Sequence, residues 1–187
     1  MTIGFWVCVG VIGVLVALAI AAYNKLVSLG QRSEAAWSDV DVQLKRRSDL
    51  VPNLVETVKG YAAHERGALE AVVRARGAAQ AAGSADARAR AENQLSEALR
   101  LLFALAESYP DLKASANFQS LQGSLGEIED GIQNARRYYN AVVRDLNTAV
   151  DSFPSNLVAG FFRFAKRGYF ELERAEDRQV PRVSFGG

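Results

Sequence analysis

The sequence predicts an all-α protein, in which an N-terminal transmembrane helix continues into an antiparallel bundle of long helices with a short C-terminal helix. Three observations predict this fold. Residues 3–22 form an uncharged apolar run, only four prolines occur, and the rest of the chain is rich in Ala, Leu, Arg and Glu, which favour helices. We therefore divide the chain into an anchor at 1–24, a helical bundle at 25–176 and an extended tail at 177–187.

The apolar run IGFWVCVGVIGVLVALAIAA is long enough to cross a bilayer as a helix. At 1.5 Å per residue it spans roughly 30 Å, the thickness of the hydrocarbon core. A cleaved signal peptide is the alternative, and Ala19-Ile20-Ala21 imitates a cleavage site, but no basic residue precedes the run. The sequence favours an uncleaved anchor, with the lipid bilayer as the partner of residues 3–22.

The charges around the anchor predict its orientation. No Lys or Arg precedes Ile3, whereas Lys25 and Arg32 follow the run, so the positive-inside rule places the N-terminus outside and the bundle in the cytoplasm. Cys8 is the single cysteine of the sequence and lies inside the anchor, so no intrachain disulfide can form. With 22 basic and 21 acidic residues, the chain is too balanced to indicate binding to nucleic acid.

Apolar residues at alternating three- and four-residue steps predict three amphipathic helices after the anchor. The stripes run from Trp37 to Val72, from Leu95 to Tyr109, and from Phe118 to Phe153. Polar turns at 82–85 and 110–116 separate them, so we expect coiled-coil-like antiparallel packing. Glycines at 123, 126 and 131 on the third helix are expected to allow close helix approach.

Pro52 leaves two arrangements of the first helix open. It lacks the N–H that would bond the Ser48 carbonyl, yet the apolar stripe keeps its phase, which favours a kinked helix continuing to about Gly77. A reversal at Pro52, with Asp49 capping a new helix, is the alternative. The continuous helix would place Phe153 far from the bilayer, and the reversal would place it beside the bilayer.

The segment after Pro154 combines a short helix with aromatic and basic side chains. Ser155 and Asn156 can cap that helix. Its apolar and basic residues are Leu157, Val158, Phe161, Phe162, Phe164, Lys166, Arg167, Tyr169 and Phe170. Contact with a membrane interface is one interpretation. We favour a helix that closes the end of the bundle core, because the favoured topology holds it away from lipid.

No residue pattern predicts catalysis. The only histidine, His64, excludes a dimetal site built from two Glu-x-x-His pairs, and it lacks the second histidine of a zincin helix. Neither a P-loop nor a nucleophile elbow occurs. We predict a protein that is not an enzyme, with no catalytic residue, no cofactor and no metal site.

A block of polar residues flanks Pro52 and supplies the candidate site. Its members are Asp41, Gln43, Arg46, Arg47, Asp49, Asn53 and Glu56. Arg47 falls on the apolar stripe, so it needs a carboxylate partner if it is buried. We expect a structural network that pairs Arg46 or Arg47 with a glutamate of a neighbouring helix, the candidates being Glu97, Glu107 and Glu129. A recognition surface for a protein partner is the alternative.

At this polar block the sequence resembles the bacterial LemA family. The resemblance is carried by AWSDVDVQLKRRSDLVPNLVETVKGYAAHE (36–65), LEAVVRAR (69–76), ENQLSEAL with LLFALAESYPDLKASANFQSLQ (92–122), YNAVVRDLN with SFPSNLVAG (139–160), and VPRVSF (180–185). It implies a single-pass inner-membrane protein with a bundle of long helices, no established activity and no catalytic or ligand residues. Gly30 replaces a residue that is more often basic in the family, which implies a junction able to bend.

Together these expectations describe a non-catalytic interaction or scaffold module at the bacterial inner membrane. The sequence does not identify its protein partners, and a homo-oligomer is one of the expected assemblies. Two alternatives remain: an accessory subunit with a ligand site around Arg46, Arg47 and Asp49, and a protein that remodels the membrane through its aromatic C-terminal segment.

Overall fold

The computed structural model describes residues 2–171, and within that range the chain forms helices and no strand, as predicted. The helices are α1 (Thr2–Lys59), α2 (Arg66–Ala81), α3 (Ala85–Ala106), α4 (Pro110–Ala114), α5 (Ala116–Asp151) and α6 (Ser155–Phe161). The tail predicted at 177–187 lies outside the described residues, as does the predicted bundle boundary at residue 176.

Helix α1 contains the whole apolar run and continues through Pro52 without a break. The side chains of residues 3–20 are exposed, as a segment inside lipid would be, and the most apolar window has a mean hydropathy of 2.7. The helix is also unbroken at Gly30, whose carbonyl accepts a hydrogen bond of 2.7 Å from the Ser33 hydroxyl. Of the two arrangements at Pro52, the structure has the continuous helix.

The expectation that α1 reaches Gly77 is wrong, because the helix ends at Lys59. Gly60 follows, and glycine is the poorest helix former after proline. The N–H groups of Tyr61 and Ala62 both donate to the Val58 carbonyl, at 3.0 and 2.8 Å, which closes the last turn. Residues 60–65 therefore connect α1 to a separate helix, and the chain gains a reversal that the sequence did not predict.

The chain packs as two compact units. Among the described residues, the first contains 2–41 together with 133–169, and the second contains 42–132 together with Phe170 and Glu171. Each unit takes one part of α1 and one part of α5.

The second unit surrounds a core of apolar side chains from α1 to α5. Its fully buried members are Val51, Leu54, Val58, Val72, Leu95, Leu102 and Leu112. Helices α2 and α3 pack as a hairpin, and the Ser84 hydroxyl caps α3 by accepting from the Ala87 N–H at 3.2 Å. The region predicted as a turn after Tyr109 contains α4 instead, which begins at Pro110, since proline suits the first position of a helix.

One glycine of α5 has the role expected of all three. A Cβ built at Gly131 would lie 3.1 Å from the Gln43 carboxamide, so the missing side chain at Gly131 lets Gln43 of α1 pack directly on α5. Gly123 and Gly126 have no atom within 4 Å of such a Cβ, and the expectation is wrong for them. They lie on exposed positions of α5.

In the first unit, α5 runs antiparallel to α1. Near the anchor, Leu26 and Leu29 of α1 share a core with Leu146 and Ala149 of α5 and with Ala159 of α6. Farther along α1, the Trp37 ring lies 5.3 Å from that of Tyr139, between ring centroids. Residue numbers therefore rise along α1 as they fall along α5, so this pair is antiparallel, whereas a first helix continuing to about Gly77 would have made it parallel.

The C-terminal aromatic segment lies beside the end of the apolar run, so the topology that would have placed it far from that run is wrong. Tyr23 follows the apolar run directly, and its ring lies 4.7 Å from that of Phe162 and 5.9 Å from that of Phe164, between centroids. The physical reason is the reversal of the chain at 60–65. It adds one more helix to the bundle and so brings the end of α5 back to the part of α1 that directly follows the apolar run. The prediction that the short C-terminal helix closes the end of a core is confirmed, because Ala159 of α6 is buried against α1 and α5.

Helix α6 begins differently from the prediction. Neither Ser155 nor Asn156 caps it, and Pro154 occupies the N-cap position. The Ser155 hydroxyl instead donates to the Ala149 carbonyl at 2.7 Å, which satisfies an acceptor at the end of α5.

Candidate functional site

The structure divides the seven residues of the polar block between two sides of α1. Arg47 is buried, with 1% of its surface exposed, and Gln43 is half-buried against Gly131. The other five are exposed: Asp41, Arg46, Asp49, Asn53 and Glu56. The block is therefore not one cluster: one side of it faces the helices of the core, and the other side faces solvent.

Arg47 joins α1 to two neighbouring helices of the second unit. Its Nη2 lies 2.6 Å from Glu92 Oε2 on α3, and its Nη1 lies 2.8 Å from Glu129 Oε2 on α5. Nη1 also donates to the Ser96 hydroxyl at 2.8 Å. The other oxygen of Glu92 accepts from Arg88 Nε at 3.0 Å. Both charges of the buried pair are thus met by opposite charge and by hydrogen bonds, as a dry interior requires.

Of the three glutamates proposed as partners, Arg47 pairs with Glu129 alone. Glu97 instead pairs with Arg100 on its own helix, at 2.7 Å, and the hydrogen bond from Arg100 lowers the pKa of Glu97. Glu107 pairs with Lys113. These two carboxylates lie on exposed positions, where a partner within the same stretch of chain is nearer than Arg47.

Glu92 is the principal partner of Arg47 and was not predicted. Only 1% of it is exposed. The signal was available, since extending the stripe of α3 backward from Leu95 by three and seven residues reaches Glu92 and Arg88. Two opposite charges in phase with an apolar stripe indicate a buried ion pair.

A second polar contact compensates for Pro52. Proline has no N–H for the carbonyl of Ser48, and that oxygen accepts from Arg76 Nε on α2 at 2.8 Å. The amide of Gln80 donates to the Ser48 hydroxyl at 2.9 Å. Because the freed carbonyl has a partner, α1 continues through Pro52 without a buried unsatisfied acceptor there.

A third contact ties the turn after α1 to the end of α3. The Tyr109 hydroxyl donates to Glu65 Oε1 at 2.9 Å. The hydrogen bond that the phenol donates to Glu65, followed by burial and by the nearby negative charge, raises the pKa of Tyr109.

Four of the five exposed residues of the block form, together with Val42, a straight row along α1, which we call the outer face; Asp41 lies outside this row. It consists of Val42, Arg46, Asp49, Asn53 and Glu56, spaced by four, three, four and three residues. This spacing places them on one side of a helix. Arg47 lies on the inner side, so the structure does not bring Arg46, Arg47 and Asp49 together as a ligand site.

His64 is exposed, and among residues 2–171 no three His, Cys, Asp or Glu side chains are grouped to hold a metal ion. The buried side holds helices together, and the outer face offers charges of both signs to solvent.

Fold and site define a class of protein: an all-α bundle that, over residues 2–171, carries one helix long and apolar enough to cross a membrane. A sequence profile of the LemA family matches residues 36–185, and the chain belongs to that family. Magnetosome protein MamQ 1 and MamQ 2 of Paramagnetospirillum magneticum are each 27% identical over 191 residues, covering 88% of this chain and 70% of theirs. Magnetosome protein MamQ of Magnetospirillum gryphiswaldense is 24% identical, covering 84% and 68%.

We expect Arg47→Ala to lower the free energy of unfolding by about 3–5 kcal/mol, because it leaves Glu92 buried beside an empty space without its main partner. Arg46→Ala is the matched control, since Arg46 is exposed and its loss is expected to cost less than about 0.5 kcal/mol. Urea denaturation of the full chain in detergent, followed by circular dichroism, measures both. Equal costs would contradict the structural role of Arg47.

Arg76→Met is expected to cost about 1–3 kcal/mol, because it leaves the Ser48 carbonyl without a donor. In a Pro52→Ala background the same change should cost clearly less, since the residue at 52 then has an N–H for that carbonyl. The same denaturation experiment on the four chains gives the coupling. If Arg76→Met costs the same in both backgrounds, the compensation for Pro52 is refuted.

Proposed function

We propose that this protein is a non-catalytic interaction or scaffold module, anchored in the bacterial inner membrane by residues 3–22 with its helical units in the cytoplasm. The observation that carries the proposal is the outer face of α1. It is a straight row of exposed charged, polar and apolar side chains on a helix whose inner side is fixed by the Arg47 ion pairs.

Rigidity of the outer face supports a role in binding. Arg47 is held by Glu92 and Glu129, and the Ser48 carbonyl is held by Arg76, so the inner side of α1 is tied to α2, α3 and α5. A surface already ordered before binding loses less conformational entropy when a partner docks. One basic and two acidic groups on the outer face favour a partner with the complementary charges, which selects that partner over others.

The membrane location is supported by the exposed apolar run and by the charges that follow it. Lys25 and Arg32 are both exposed at the end of the run, where the positive-inside rule favours the cytoplasm. The similar magnetosome proteins are named for the magnetosome and not for a reaction, which supports a role without catalysis for this chain as well.

Photo-crosslinking in native membranes tests the proposal. A photoreactive side chain at Asp49 or at Asn53 is expected to give discrete adducts, which mass spectrometry assigns to a partner or to a second copy of this chain. Glu70 of α2 is the matched control, because it is also exposed and lies outside the outer face. Adducts at 49 and 53 but not at 70 are the expected result.

A charge reversal adds specificity to this test. Asp49→Lys with Glu56→Lys is expected to abolish the adduct at 53, while Glu70→Lys leaves it unchanged. Surface substitutions of this kind change stability by less than about 0.5 kcal/mol each, so loss of the adduct would report on recognition. Absence of any adduct at both positions, together with a strictly monomeric particle in detergent, would contradict the proposal.

A further inference from the structure

Helix α6 and the residues beside it leave an apolar surface exposed, which we call the aromatic edge. It consists of Phe153, Leu157, Phe161 and Phe162, with exposed fractions of 79%, 65%, 82% and 54%. Single exposed apolar residues are common, but four large ones within ten residues indicate a surface that contacts an apolar partner.

The position of the aromatic edge identifies that partner. The Phe162 ring packs on Tyr23 at 4.7 Å, and the Phe161 ring lies 5.0 Å from that of Phe162, between centroids. Tyr23 directly follows the apolar run, at the depth where a bilayer around residues 3–22 has its interface. The aromatic edge therefore lies at the level of the lipid headgroups.

Backbone geometry fixes α6 at this level. Its end has the hydrogen bonds of a Schellman motif: the Phe164 N–H donates to the Ala159 carbonyl at 2.9 Å, and the Arg163 N–H donates to the Gly160 carbonyl at 3.3 Å. Arg163 adopts a φ of 59°, in the left-handed region that such motifs need. The chain is thereby turned so that Phe164 reaches both the buried cluster around Ala159 and the Tyr23 ring.

The following segment is tied to α5 as well. The Asn147 side chain forms two hydrogen bonds with the backbone of Arg167, donating to its carbonyl at 3.0 Å and accepting from its N–H at 2.9 Å. Segments bound at both ends have little freedom to withdraw exposed aromatic rings from their surroundings. The exposure of the aromatic edge is thus a property of the folded unit.

The cations near the aromatic edge fit a lipid surface. Lys166 pairs with Asp151, and Arg167 pairs with Glu34. Lys25 and Arg163 are exposed, and neither forms an ion pair with any residue in the 2–171 range. Apolar rings beside exposed cations are typical of segments that lie in the interface of a bilayer with anionic lipids.

We propose that the aromatic edge is a second membrane contact, which inserts into the same leaflet interface that Tyr23 reaches and places Lys25 and Arg163 among anionic headgroups. This inference rests on the proposed membrane anchor. With the anchor it gives the first unit two attachments to one leaflet, which hold α1 against rotation about its own axis.

Spin-label depth measurement on the full chain in vesicles of phosphatidylcholine and phosphatidylglycerol tests the inference. A nitroxide is attached after Phe161→Cys, and separately after Leu157→Cys, each in a Cys8→Ser background. Collision with oxygen relative to a water-soluble nickel complex is expected to place both labels roughly 5–10 Å into the boundary between headgroups and acyl chains. Labels as accessible to the nickel complex as those in water would overturn the inference.

Tyr138→Cys in the same background is the matched control. Tyr138 is an aromatic residue of α5, 55% exposed, and it precedes Phe153 by fifteen residues, or roughly 20 Å along a helix. Its label is expected to be in water. If the labels at 161 and 138 report the same depth, the aromatic edge does not enter the bilayer.

A label on the native Cys8 separates this inference from the proposed anchor on which it depends. A deep label at Cys8 with an aqueous label at 161 overturns the inference and leaves the anchor standing. An aqueous label at Cys8 overturns both. Spin–spin broadening at 161 with low oxygen collision would assign the aromatic edge to a second copy of the chain, and this result also overturns the inference.

Discussion

The second unit depends on one constraint, that the guanidinium of Arg47 is buried and has to be neutralised where it lies. An unpaired charge in a dry interior is strongly unfavourable, so α3 and α5 are held in the register that presents Glu92 and Glu129 to it. A purely apolar interface would tolerate helices that slide past one another, whereas this contact tolerates one arrangement. Arg47 Nε is buried without a hydrogen-bond partner among the described residues, so the carboxylates and Ser96 bind the two terminal nitrogens of the guanidinium.

Buried polar groups of the backbone also need hydrogen-bond partners, and this explains why α1 can contain a proline. Pro52 frees the Ser48 carbonyl, and Arg76 of α2 supplies the missing donor. Arg47 and Ser48 are adjacent, so consecutive residues of α1 bind α3, α5 and α2 through polar groups. The opposite side of the same helical turns, which is the outer face, is exposed to solvent. The binding role proposed for the outer face is supported by the same arrangement, because polar contacts to three helices hold the inner side of that stretch of α1.

Much of this could be predicted from the sequence, because it depends on local rules. The apolar stripe keeps its phase across Pro52, which predicts a continuous helix, and Arg47 on the stripe predicts a carboxylate partner. The end of α1 at Lys59 could not be predicted in the same way, because the stripe also keeps its phase across the turn at 60–65. That missed reversal changed the predicted position of the C-terminal segment. Which glutamate meets Arg47 depends on the relative shift of two helices, a tertiary property that periodicity alone does not contain.

A double-mutant cycle on Arg47 and Glu92 tests the central claim most directly. Free energies of unfolding are measured for the parent chain, Arg47→Met, Glu92→Gln and the double variant, each as the full chain in detergent. The account predicts that the two single costs do not add, with a coupling of about 2 kcal/mol, as for groups that share one buried network. Costs that add to within about 0.5 kcal/mol would show that the two residues act independently and would contradict the account.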